Sequence, residues 1–399
     1  MFKKLLAPFL ALAMACTAPA AERDYTREAR LRPPDLDHPV DVNTDYALAI
    51  SEGLGHLEEN FTAGDKYIVT RTGKAVAMLW LHGANAYWSH EMAHGYNVED
   101  DQRGWEFENR TSSIGLPRVT FKGGTTTLEN AFDGIAGGLN QSENNALELW
   151  ERTDTITLDR ALAFLSFKLD DTTYNLRSDL DAHEDGSVRI RFFNRKPGEN
   201  EYFYAWPLPN ETKLNDLDQL GAIYKYWGNH VDGSSKIEKR TMIADFLTAR
   251  TWESLRSIWK YLRNGERTTE PLTLDVAGHK VTPPIISSYF TSGGVFYDAD
   301  FLVDGNKFSV GMNTDLPDWR IGVGLGERQV GCFSLSPFGA FNRIGGEDGF
   351  TIGSDIGFEV GGDASLVFTL QRSEGDVIEN DVKTVDDGID AQVVLKVKW

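Results

Sequence analysis

Near Asn264–Glu270 the chain changes its hydrophobic period. Upstream, apolar residues recur at helical spacing; downstream they alternate with polar ones in short runs bounded by Gly, Asp, Asn or Pro. The two periods bury different faces, so one kind of layer cannot continue as the other. The downstream runs are Lys280–Phe290, Val295–Val303, Lys307–Met312, Trp319–Leu325, Cys332–Leu335, Phe350–Val360, Ser365–Leu370 and Gln392–Trp399, with a tight-turn signal at Asp304-Gly305-Asn306. The expectation is an α+β chain, with an α-rich domain over 21–265 and an all-β antiparallel domain over 266–399.

Within the first part, helices are expected over Ala47–Asn60, from Glu129 through Leu147–Trp150, and over Leu158–Leu180, Leu214–Trp227 and Lys236–Leu262. The last spacing places Ile243, Phe246, Leu247, Leu255, Ile258 and Leu262 on one face, expected in the core. Lys66–Thr72 reads as a short edge strand, and Arg118–Lys122 as a strand within the loop Asn97–Thr127. Gly137-Gly138 allow another backbone to approach closely.

Residues 1–20 read as a signal peptide: Lys3 and Lys4, then apolar Leu5–Ala15, then Ala18-Pro19-Ala20 as an A-x-A-like cleavage site. Export follows. After cleavage Cys332 is the one remaining cysteine, which excludes an intramolecular disulfide. A formal net charge of −20 argues against nucleic acid as a partner. No later apolar run has the length of a transmembrane helix.

The residues that carry chemistry lie in Tyr87–Tyr96, Y-W-S-H-E-M-A-H-G-Y, which holds His90, Glu91 and His94 as H-E-x-x-H. On a helix, residues four apart share a face, so the two imidazoles can grip one metal while Glu91 sits beside it as a base. A catalytic zinc takes three protein ligands and keeps one position open; beside two histidines the third is commonly a carboxylate. In Leu128–Gly138, Glu129 is the candidate for that ligand, and Asp133, one turn on, can accept the N–H of a ligating histidine. His82 reads as a satisfied core histidine, and His183-Glu184 as part of a solvated acidic turn.

The H-E-x-x-H followed by E-x-x-x-D at Glu129 and Asp133 resembles the gluzincin metallopeptidases, with one departure at Tyr87, where zincins usually carry a small or β-branched residue. The resemblance implies a zincin-like α-rich domain with zinc held by His90, His94 and Glu129, Glu91 as general base and Asp133 as orienter. It also implies a downstream donor to the tetrahedral intermediate, for which His230 and Tyr226 are candidates.

In the last run, Ala391, Val393, Leu395 and Val397 fall on one face, Gln392, Lys396 and Lys398 on the other, and the chain stops at Trp399. That resembles the closing strand of bacterial outer-membrane β-barrels, which have an apolar outer face and no free edge. The resemblance implies a β-barrel in outer-membrane lipid, or export to the periplasm, of a Gram-negative bacterium. A soluble β-sandwich is the alternative architecture. Two functions are carried forward. One is a zinc metallopeptidase acting on periplasmic or envelope proteins and anchored by the barrel. The other is a non-enzymatic outer-membrane protein whose helical part is a plug or holds a structural metal site.

Overall fold

The computed structural model of the chain describes residues 27–31, 39–60, 65–96, 106–111, 117–122, 128–170, 172, 189–190, 205–206, 216–226, 234–291, 293–313, 317–330, 333–344, 346–361, 364–375, 377–379, 382–384 and 388–398. The expected signal peptide, Cys332, His183-Glu184 and His230 lie outside these residues.

The fold is mixed α+β. The helices are α1 (Pro39–Asn60), α2 (Ile68–Tyr96), α3 (Leu128–Glu151), α4 (Leu158–Lys168), α5 (Asp216–Tyr226), α6 (Ser234–Leu247) and α7 (Ala249–Asn264). The main sheet has 11 strands: β1 (Glu28–Leu31), β2 (Leu274–Val276), β3 (His279–Thr291), β4 (Gly294–Val303), β5 (Asn306–Asn313), β6 (Trp319–Gly324), β7 (Arg328–Val330), β8 (Phe333–Ile344), β9 (Glu347–Gly361), β10 (Ala364–Glu374) and β11 (Gly388–Lys398). Each expected β run falls within or overlaps one of these strands, and the expected strand at Arg118–Lys122 is half of a hairpin, Glu106–Thr111 with Pro117–Lys122.

Tight turns set the meander. Asp304 and Gly305, with φ of 50° and 80°, join β4 to β5, the positive φ at both central residues that a two-residue hairpin needs. The resulting order is β1-β11-β10-β9-β8-β6-β5-β4-β3-β2, every pair antiparallel, with β7 pairing β8 off this path. The first and last strands of the order do not pair, so the expected barrel is corrected to an open sheet. The reason is visible at the edges.

At one edge, β1 takes the place beside β11 that a closing strand would need, from Glu28 opposite Lys398 to Leu31 opposite Leu395. At the other, helical side chains serve the backbone of β3. Thr248 Oγ1 accepts from Ile286 N–H at 2.9 Å and donates to Ile286 O at 3.1 Å. Asn140 does the same at Phe290, and Tyr224 OH donates to Thr291 O at 2.7 Å. An edge covered in this way has no need of another strand.

Helices and sheet share their apolar cores. Phe132, Ile135, Leu139, Leu220 and Ile223 pack with Phe290 and Val295 of the sheet. A second cluster joins Leu48, Leu149, Trp150 and Phe164 to Ile285.

The sheet is polarised in an unusual sense. Its inner face carries Asp298, Asp300, Arg320, Asn342, Asp355, Thr369 and Gln392, several of them paired: Ser309 Oγ donates to Asp300 at 2.5 Å, Arg320 lies 3.3 Å from Asp298, and Thr369 Oγ1 donates to Asp355 at 2.6 Å. A polar cavity of about 280 Å³ lies between this face and the helices, lined among others by Arg30, Asp41, Glu148, Gln371 and Lys396. Many of the residues alternating with these point outward, apolar and exposed, including Val310, Ile321, Phe341, Ile352 and Leu370, while Arg343, Asp348 and Arg372 are charged members of the same face.

Four expectations for the helical part are corrected. Lys66–Thr72 is not a strand but the entry to α2, because Arg71 reaches the carbonyls of Asp65, Leu262 and Arg263 and ties this turn to the end of α7. Of the face expected in the core, Ile258 and Leu262 pack against it, whereas Ile243, Phe246, Leu247 and Leu255 are exposed and Arg250, Glu253, Ser254 and Ser257 of α7 are buried. The single expected helix over Lys236–Leu262 is broken at Thr248, whose side chain serves β3. His82 is buried as expected, but the expected satisfaction is corrected: neither ring nitrogen has a hydrogen-bond partner among the described residues. No described helix is long and apolar enough to cross a membrane.

Candidate metal centre

The motif sits in the last turns of α2, whose rotation is fixed from both sides. Asn43 of α1 donates to Ser89 O at 2.8 Å, and Asn145 of α3 donates to Ser89 Oγ at 2.8 Å. Ser89 precedes His90, so these bonds aim the first histidine. Helical spacing then stacks His94 beside it, with ring centroids 4.7 Å apart and the planes nearly perpendicular.

Each imidazole is held at Nδ1. His94 Nδ1 lies 2.6 Å from Gly134 O, and because a carbonyl only accepts, that nitrogen carries a proton and Nε2 is the atom turned toward Asp216. His90 Nδ1 lies 2.7 Å from Asp170 Oδ2, an oxygen that also accepts from Ser142 Oγ at 2.8 Å. Both Nε2 atoms face one carboxylate: Asp216 Oδ2 is 3.1 Å from that of His90 and 3.5 Å from that of His94. The ligand atoms of His90, His94 and Asp216 all lie within 4.8 Å of one another.

Asp216 opens α5, where helix N-terminal N–H groups favour an anion. Burial alone would raise its carboxyl, but positive charge on His94 and hydrogen bonds from His90 and His94 hold it well below the usual carboxylate range. It is therefore an ionised ligand. Gly138 of α3 closes the site from the other side: a Cβ there would lie 2.6 Å from His90 Nε2 and from His94 Cε1. The close approach expected at Gly137-Gly138 is that of another backbone; what comes close at Gly138 is two imidazole side chains.

Two histidines and one carboxylate, with the rings held by Asp170 and by a carbonyl, are a group that could hold a metal ion, of the composition that catalytic zinc sites use. The residues fit the metal. Glu91 is buried on the same turn. Glu129 and Asp133 lie in α3, but their side chains are outside the described residues, as is that of Tyr226 at the end of α5. The carboxylate that the structure brings to both Nε2 atoms is Asp216, and the one at His90 Nδ1 is Asp170. Neither carried a signal in the sequence beyond an acidic residue at a helix boundary.

Compared with protein-family models, curated proteins and solved structures, the chain matches none.

Proposed function

We propose that the chain is an exported zinc-dependent metallopeptidase that cleaves peptide bonds in periplasmic or envelope proteins and is held at the outer membrane by its sheet. One observation carries the reading: both motif imidazoles are fixed at Nδ1 and turn Nε2 toward the ionised Asp216. His90, His94 and Asp216 would hold the metal. Zinc held there would supply a coordinated water of lowered pKa and a Lewis acid for the scissile carbonyl. Glu91, beside His90, takes the proton of the attacking water on its carboxylate and delivers it to the leaving amine. Asp170 keeps His90 in the tautomer that ligates. The apolar outer face of the sheet, set against its polar inner face, supports the anchoring.

Elemental analysis of the purified full chain tests this beside hydrolysis of an unfolded protein substrate. About one zinc per chain is expected, lost in His90→Ala and Asp216→Ala, while Glu91→Gln keeps the zinc and loses turnover. A chain that takes up no zinc on reconstitution sinks the reading. Loss of zinc in Glu129→Ala would add that residue to the ligand set.

The depth of the site favours a second reading, since His90 is 0% and His94 6% exposed. Under it the metal is structural and the helices are a plug. Glu91→Gln would then keep the zinc, and no hydrolysis would be measured in either form.

A further inference from the structure

The helices that occupy the opening of the sheet are built inside out. In α7, Arg250, Glu253, Ser254 and Ser257 point into the protein, while Trp252 and Trp259 are 57% and 63% exposed. A water-facing helix has the opposite arrangement. α2 repeats the pattern. From Ile68 to Trp80 its exposed side chains carry no charge, a stretch of about 18 Å at the α-helical rise. Its two cations in that stretch turn inward: Arg71 bonds carbonyls of α7, and Lys74 lies 2.5 Å from Glu58. The exposed Thr70 and Thr72 satisfy their hydroxyls on carbonyls of their own helix, of Tyr67 and Ile68, as polar side chains do where water is absent.

These faces adjoin the sheet. Thr248, between α6 and α7, is bonded to Ile286 of edge strand β3, and α7 is tied to α2 through Arg71. Across the strands, Val310, Ile321 and Phe341 stand in one register row, all exposed.

We propose that the outer faces of α2, α6 and α7 contact the bilayer directly, so that helices complete the lipid-facing wall that the open sheet leaves unfinished. The occupant is the acyl region of a membrane. A soluble chain seldom exposes apolar area on this scale, and a second copy on a two-fold axis would cover one patch, not helices and sheet alike. The proposal extends the anchoring part of the functional reading and is independent of the metal chemistry.

The test is a nitroxide label placed at residue 76, 255 or 321, through Val76→Cys, Leu255→Cys or Ile321→Cys in a Cys332→Ser background. The full mature chain is reconstituted in phosphatidylcholine vesicles. Collision with oxygen reports lipid, and collision with a water-soluble nickel chelate reports solvent. All three residues are exposed, so labelling leaves the packing intact. Oxygen-dominated collisions at all three positions are expected. A second measurement uses the native tryptophans: with bromine on the lipid acyl chains, Trp252→Phe and Trp259→Phe each lose part of the quenching.

Oxygen access at residue 321 with nickel access at 76 and 255 would overturn the composite wall and leave the sheet as the anchor. Nickel access at all three would overturn both the wall and the anchoring. Access to neither reagent at 76 and 255 would assign those faces to a protein partner and also overturn the proposal.

Discussion

The side chain of Asn140 pairs with the backbone of Phe290 as a strand residue would, Nδ2 donating to Phe290 O at 3.0 Å and Oδ1 accepting from Phe290 N–H at 2.8 Å. A helix thereby takes the place of a strand at the edge where a barrel would have closed. Asn140→Leu leaves both groups of Phe290 unpaired in a buried setting, at about 1–3 kcal/mol for each. Urea unfolding of the full chain in detergent micelles should show a loss of about 3 kcal/mol. A loss below about 0.5 kcal/mol would mean that the pairing contributes nothing to the edge.

Gly138 permits the second close approach. A methyl group there would lie 2.6 Å from His90 Nε2, and that ring is already fixed at its far side by Asp170. Since the ring cannot retreat without losing that bond, Gly138→Ala should displace the ligating nitrogen. Zinc titration of the folded variant should show affinity at least tenfold weaker, with the unfolding midpoint changed much less. Unchanged affinity would mean that α3 shifts to accommodate the methyl group.

The eight long strands were legible because alternation and turn residues are local properties, and Asp304-Gly305 alone sets one hairpin. Which way a face points was legible for strands and not for helices. Periodicity says that Leu255 and Phe246 share a side, but the surroundings decide whether that side meets core or something apolar outside. At Thr248 the chain breaks a helical pattern to serve Ile286, and a threonine within such a pattern announces nothing. The metal site divides in the same way. Its histidines are four residues apart and could be read directly, whereas Asp170 and Asp216 lie 80 and 126 residues beyond His90 and arrive only through folding.

Asp159 ties α4 to the start of the described chain. Arg27 Nη1 lies 3.0 Å and Nη2 3.2 Å from its two oxygens, and Thr157 Oγ1 donates to it at 2.6 Å. Burial pushes the carboxyl up, but the Arg27 charge and hydrogen bonds outweigh it, with Arg160 adding to them, and the group sits well below the usual carboxylate range. A depressed folded pKa stabilises the fold above the unfolded value, about 4, and that stabilisation is lost as pH falls below it. Unfolding free energy should therefore decline with acid below about pH 4. Asp159→Asn should flatten this decline and cost about 3 kcal/mol at neutral pH, because the buried Arg27 loses one of its carboxylate partners and retains Glu52 and Glu59. An identical acid slope in the variant would remove Asp159 from the account.

Asp170 tests whether the ring geometry matters to the metal or only to folding. It touches His90 Nδ1 and Ser142 and belongs to none of the candidate ligands. If it orients a ligand, its loss should weaken zinc about 10- to 100-fold while the chain stays folded. Asp170→Asn is the informative variant, since an amide fills the same space but accepts a weaker hydrogen bond than a carboxylate does. Competition with a chelator, on chains shown to be folded by their unfolding midpoint, should rank the affinities as wild type, then Asp170→Asn, then Asp170→Ala. If all three bind zinc alike, His90 is positioned by the helix and by Ser89, and the carboxylate has no part in the metal site.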